Sequence, residues 1–233
     1  EKRQFEASFR VVGKIPQWYN PVTDKTFALA NWKEENGRTI VSISFDENES
    51  GFVIFKEKAT ASEIKTTTFE TVQTLDENWE LQFDPAFHGP KELVKINKLL
   101  DWSTSENDKI KYYSGTATYQ KEVVWKGKSG DKTWLDLGTI ANIAEVSING
   151  KGCGTLWTYP YKVDVSDALK KGKNTVVIKI TNTWANRLIG DQKLPKEEKL
   201  TWTTAPFRLE GEPLLKAGLL GPVTIVKEKT EKK

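Results

Sequence analysis

Apolar and polar residues alternate along most of the chain, and turn residues break the alternation at short intervals. Phe5–Val11 puts Phe5, Ala7, Phe9 and Val11 on one face, the period-two signature of a half-buried strand. Ile15–Pro21 interrupts it with two prolines and the aromatic pair Trp18-Tyr19. Thr26–Trp32 and Thr39–Phe45 read as the next strands. They are joined across Glu35-Asn36-Gly37, where Asn-Gly supplies the positive φ angles of a tight hairpin. Asp46–Gly51 is a polar turn before a fourth strand, Phe52–Phe55. This predicts a small antiparallel unit over residues 1–60, barely large enough to stand alone.

Glu57–Thr68 is polar and poor in aromatics, and reads as a linker or crossing strand. A second unit is expected over 69–227. Its strands are Trp79–Phe83, Ile110–Val124, Thr133–Leu137, Ile143–Ile148, Pro160–Val165, Asn174–Ile180 and Gly218–Val226. Asn149-Gly150 marks a second hairpin, and Ser166–Leu169 a capped single helical turn. The last residues, 228–233, continue the charged run KEKTEKK and read as a solvated tail. Strands recurring at intervals of roughly ten residues, with no long helical period, predict an all-β protein built as a sandwich or jelly roll.

Composition adds few constraints. The chain has 233 residues, 37% hydrophobic and 29% charged, which suits a globular protein and excludes wholesale disorder. The net charge of +3 comes from scattered basic residues, so nucleic acid is not an expected partner. No apolar run reaches the length of a membrane-spanning helix, and Glu1-Lys2-Arg3 is expected to open straight into a strand rather than to be part of a signal sequence. Methionine is absent even at position 1, which predicts a processed or excised piece of a larger protein. The single cysteine, Cys153, excludes an intramolecular disulfide. The single histidine, His88, has no Cys or second His beside it and reads as a loop residue.

The candidate chemistry lies in Thr181–Asp191, TNTWANRLIGD, directly after the strand Asn174–Ile180. It sets Trp184, Asn186, Arg187 and Asp191 close together, on what the strand assignments make a loop. Sugar rings stack their C–H faces on aromatics, and their hydroxyls take planar amide, guanidinium and carboxylate partners. Trp157 and Tyr159, on another loop, would complete a carbohydrate-binding set of Trp157, Tyr159, Trp184, Asn186, Arg187 and Asp191. The same residues also read as architecture, with Trp184 a core plug and Arg187–Asp191 an ion pair fixing the loop. Glycoside hydrolysis needs two carboxyl groups flanking one bond. Among 32 carboxylates Asp136, Glu145, Asp164 and Asp191 lie on or beside strands, and nothing selects a pair, so no catalytic residue is assigned. Serine-histidine chemistry, a phosphate-cradling glycine loop and a zinc cluster are all missing from the pattern.

An ordered set of strings carries a family resemblance: Asp101-Trp102-Ser103, Ile110–Tyr119, Leu137–Val146 with Asn149-Gly150, Gly154–Tyr161, Thr181–Asp191 and Gly218–Val223. Together they resemble the C-terminal β-sandwich region of bacterial α-L-rhamnosidases of glycoside hydrolase family 106. That module is similar to the galactose-binding-like sugar-binding domain of family 2 enzymes. Trp18…Pro21-Val22-Thr23 and Phe52–Phe55 resemble the β-region preceding it. The resemblance implies a small antiparallel β-sandwich unit followed by a galactose-binding-like jelly-roll sandwich. It implies a non-catalytic accessory region whose partner is a catalytic barrel of the same parent chain, or alternatively a module that contacts an oligo- or polysaccharide. It further implies export to the periplasm or cell surface. No cofactor is expected. Galactose-binding-like sandwiches often hold a structural calcium, but no ligand-dense run such as D-x-D-x-D-G is present, so no ligands are assigned.

Overall fold

The computed structural model describes residues 3–45, 47–56, 65–128, 130–204 and 211–232. Most of the expected Glu57–Thr68 crossing segment lies outside the described residues, as do Asp46, Ser129 and Lys233. The protein is all-β. The chain divides into two compact units: Glu1–Glu70 with Thr158–Pro160 and Glu228–Lys233, and Thr71–Trp157 with Tyr161–Lys227.

In the first unit β1 (Arg3–Phe9), β2 (Gln17–Asn20), β3 (Lys25–Ala28), β4 (Trp32–Glu35), β5 (Arg38–Phe45) and β6 (Phe52–Ile54) form two antiparallel sheets, β1-β5-β4 and β3-β2-β6. The Asn36-Gly37 turn takes positive φ at both residues and pairs Glu35 with Arg38, as its sequence predicts. The single strand expected over Thr26–Trp32 is instead two, β3 and the start of β4, each hydrogen-bonded in a different sheet. Trp18, Val41 and Ile43 form the small core, with Phe45 edge-on to Trp18 at 5.2 Å.

The second unit holds most of the buried side chains. Its strands are β7 (Lys65–Thr74), β8 (Glu77–Phe83), β9 (Val94–Lys98), β10 (Thr116–Trp125), β11 (Thr133–Asp136), β12 (Thr139–Ala141), β13 (Ile143–Ile148), β14 (Lys151–Leu156), β15 (Lys162–Asp164), β16 (Gly172–Thr181), β17 (Gly218–Gly221) and β18 (Thr224–Lys232), with β7 and β18 crossing the unit boundary. They make a six-stranded sheet, β14-β13-β16-β10-β8-β9, a four-stranded sheet, β15-β11-β18-β7, and the pair β12-β17. In β10 and β16, ten residues each, Ala117, Tyr119, Val123 and Trp125 on one and Val176, Ile178 and Ile180 on the other are buried, alternate positions interrupted only at Lys121. That alternation is what burying a single sheet face requires.

An aromatic cluster fills the core where the turn-rich segments meet the large sheet. Trp102 is fully buried, donates from Nε1 to the Tyr119 hydroxyl at 2.7 Å, and lies edge-on to Phe83 and Tyr113. The Tyr119 hydroxyl also accepts from the Leu219 amide at 3.1 Å, so both buried donors are satisfied by one oxygen. Asp101 anchors this region. Its Oδ1 accepts from the Ser103 and Ala217 amides, both at 3.0 Å, tying the chain before β10 to the segment before β17.

Three expected elements differ. Ile110–Tyr113 opens no strand: α1 (Asp108–Lys111) forms there because the Asn107 side chain accepts from the Lys109 amide and caps it. Ser166 heads a hydrogen-bonded turn rather than capping a helix, and spends its hydroxyl on Asp164 and Thr133. The charged run after Lys227 continues β18 as far as Lys232 instead of leaving the fold as a tail, with Lys229 pairing Glu70 at 2.6 Å.

Candidate functional site

Thr181–Asp191 is not a rim loop. After β16 ends, Asn182 ties the chain to the segment before β10: its Oδ1 accepts from the Gly115 amide at 2.9 Å and its Nδ2 donates to the Tyr113 carbonyl at 2.8 Å. Thr183 and Trp184 then lead into α2 (Ala185–Gln192). The residues that read as a loop have a helical period of burial, with Asn186, Arg187, Ile189, Gly190 and Asp191 turned inward.

The side chains of Asn186, Arg187 and Asp191 are buried, and those of Asn186 and Asp191 are committed to hydrogen bonds. Asn186, 2% exposed, makes both of its amide bonds to one residue, donating to the Leu215 carbonyl at 2.7 Å and accepting from the Leu215 amide at 2.8 Å. Asp191, 3% exposed, accepts on Oδ2 from the Leu200 amide at 3.0 Å, the Thr201 amide at 2.7 Å and the Thr201 hydroxyl at 2.5 Å. Its Oδ1 is buried without a hydrogen bond and faces Arg187 Nη1 at 3.7 Å, an i,i+4 ion pair beyond hydrogen-bonding distance. Burial pulls the Arg187 guanidinium below its usual pKa and the Asp191 charge opposes that shift. The Arg187 amide is held by the Ser114 hydroxyl at 3.3 Å.

The expected aromatics are exposed: Trp157 by 58%, Tyr159 by 41% and Trp184 by 54%. Trp184 stands at the N-cap of α2, edge-on to Phe87 at 6.2 Å. It is therefore not the core plug of the architectural reading. Trp157 follows β14 in the second unit, while Tyr159 belongs to the short stretch grouped with the first. The fold thus gathers Trp184, Asn186, Arg187 and Asp191 on one helix and assigns Trp157 and Tyr159 elsewhere.

The pattern of the sequence does not reveal a cavity of about 540 Å³ beside α2, wholly within the second unit. Arg187 and Lys193 line it from α2 and its C-cap, Asp108, Lys109 and Tyr112 from α1 and its C-cap, and Lys91 from the loop before β9. Gly190 makes this wall possible: a Cβ there would stand 2.7 Å from the Tyr112 ring, so only glycine lets the ring lie against the helix. Lys111 and Lys193 hold their ammonium groups 5.7 and 5.8 Å from the centre of that ring, within cation–π range. His88 also lines the cavity, from a left-handed turn that its amide closes onto Pro85. The signal that could have found the cavity is the lysine cluster Lys109-Ile110-Lys111 beside Tyr112, which alternates as a strand would.

Among the described residues no three His, Cys, Asp or Glu side chains group as metal ligands. No helix of the described residues is long and apolar enough to cross a membrane.

The large sheet and the four-stranded sheet share one buried core, the arrangement of a β-sandwich. Comparison with known families agrees. The chain belongs to the glycosyl hydrolase 2 galactose-binding domain-like family, whose model matches residues 88–212. It is 38% identical to a putative beta-glucuronidase of Formosa agariphila, over 72% of this chain and 17% of that protein. It superposes on a rhamnosidase from Novosphingobium sp. PP1Y with a TM-score of 0.84 at 36% identity, over 98% of this chain and 22% of that one. The chain thus spans about a fifth of the length of the relatives it matches. Those relatives are glycoside hydrolases, and the matched family is a galactose-binding-like domain rather than a catalytic one.

Proposed function

We propose that the chain is a non-catalytic accessory region of a bacterial glycoside hydrolase of the α-L-rhamnosidase type, whose work is to support the catalytic domain of the same protein. One observation carries the reading. Asn186 and Asp191, the groups best suited to sugar hydroxyls, are buried and bonded to the backbone at residues 200, 201 and 215. A group that must open its own fold to meet a ligand is a poor first contact, whereas one that locks the surface segments of a module suits a rigid buttress. The length of the relatives supports a catalytic partner in the same chain, and their kind supports export to the periplasm or cell surface.

The exposed Trp157, Tyr159 and Trp184 favour a second reading, in which the module touches a polysaccharide through its aromatic side chains. The two readings share a test of the first claim. Incubated alone with 4-nitrophenyl α-L-rhamnoside, the chain is expected to release no nitrophenol above buffer. Turnover that saturates with substrate would make it an enzyme in its own right.

A further inference from the structure

The cavity beside α2 carries chemistry that a supporting role leaves unused. Among the described residues Lys91, Lys109, Lys193 and Arg187 line it, with Asp108 the one carboxylate there. The three lysines are exposed and line the cavity from three different segments, and the Lys193 ammonium lies 5.8 Å from the centre of the Tyr112 ring. Arg187 is different: its side chain is 8% exposed, yet it forms part of the wall. Its charge partner among the described residues is Asp191 at 3.7 Å, and Asp191 spends its other oxygen on Leu200 and Thr201. A buried guanidinium held at Nη1 only by an ion pair of 3.7 Å, at the wall of a cavity, keeps further N–H donors of its planar fork for a second carboxylate. Tyr112 supplies an adjoining aromatic wall. A volume of about 540 Å³ lies within the range of small-ligand sites, roughly 300–1,000 Å³, and has room for one or two sugar rings.

We propose that this cavity binds an acidic saccharide, its carboxylate held by Arg187 with Lys109 and Lys193 and its ring lying along Tyr112. A neutral sugar would leave the cationic lining unanswered, and a bare anion would leave the aromatic wall unused.

The test is isothermal titration of the 233-residue chain at low ionic strength with digalacturonic acid and with a glucuronate-terminated disaccharide. Arms with the methyl ester of digalacturonic acid and with sodium sulfate separate the sugar from the anion. At least one acid should bind saturably, at least about tenfold more tightly than the ester, and weaken as salt is added. The exposed pair Lys109→Ala/Lys193→Ala should keep the melting temperature and weaken binding about tenfold, two partly exposed charges lost together. Arg187→Lys, read against its own melting curve, should weaken binding further by removing the fork while keeping the charge. Silence with both acids, equal binding of acid and ester, or sulfate binding as tightly as the sugars would overturn the proposal. Each of these results would leave the accessory reading standing. Hydrolysis by the chain alone would end that reading without touching the cavity.

Discussion

Replacing Asp191 with alanine is the sharpest probe of α2 as architecture. The carboxylate is 3% exposed and serves four groups: two backbone amides, the Thr201 hydroxyl and the Arg187 guanidinium. Its removal strands the buried Arg187 charge, and breaking a buried pair from one side costs about 3–5 kcal/mol. It also leaves the Leu200 and Thr201 amides without an acceptor, at about 1–3 kcal/mol for each that water cannot reach. Leu200 is 42% exposed, so its amide can be hydrated, which places the expected total near the lower end, about 3–4 kcal/mol. For a unit of this size that corresponds to a fall in melting temperature of roughly 6–16 °C. Urea unfolding followed by tryptophan fluorescence reads it as a shifted midpoint with an unchanged slope. The double variant Arg187→Met/Asp191→Leu should lose less than the sum of its singles, because no charge is orphaned. A loss below about 1 kcal/mol in Asp191→Ala would mean that the carboxylate is free for other work, and the reasoning fails.

Tyr119→Phe removes the single oxygen that accepts from both Trp102 Nε1 and the Leu219 amide, and should cost about 2–4 kcal/mol in urea unfolding. A variant as stable as the parent would show that those donors find other partners. The Asp164 carboxyl sits below its usual pKa: burial alone would raise it, but the Ser166 hydrogen bonds and the Lys132 ammonium outweigh burial. With the unfolded carboxyl near pH 4, this contribution to stability is complete above about pH 4 and is lost as pH falls through the lower folded value. Asp164→Asn should therefore flatten the acid limb of the melting-temperature curve below about pH 4 and lower stability at pH 7. Parallel curves for the two proteins would contradict the linkage.

The sandwich is legible in the sequence because its signals are local. Asn36-Gly37 and Asn149-Gly150 each need positive φ at two successive residues, and the chain turns at both. The alternation in Asn174–Ile180 emerges as the buried face of β16. What lies outside local pattern is less visible. The eight residues of α2 have no side-chain cap at Trp184, so the helix shows no start signal. Burial of Asn186, Arg187 and Asp191 depends on Leu200, Thr201 and Leu215, which lie 9 to 29 residues away. Polar residues are ordinarily exposed, so nothing near them in sequence marks them as interior. In α1 a polar cap at Asn107 overrode an alternation that continues, as a real strand, only from Thr116. The cavity joins α1, α2 and the loop before β9, three segments that only the folded sandwich brings together.

The proposed supporting role is tested by thermal unfolding of the whole protein that carries this segment, beside a form with residues 71–227 deleted, following the melting of the proposed catalytic domain and the rate on an aryl glycoside. The supporting role predicts a catalytic domain that melts at a lower temperature once the module is gone, with KM for the small substrate little changed while the enzyme stays folded. An unchanged melting temperature together with a loss confined to polysaccharide substrates would contradict it and make the module a binding domain.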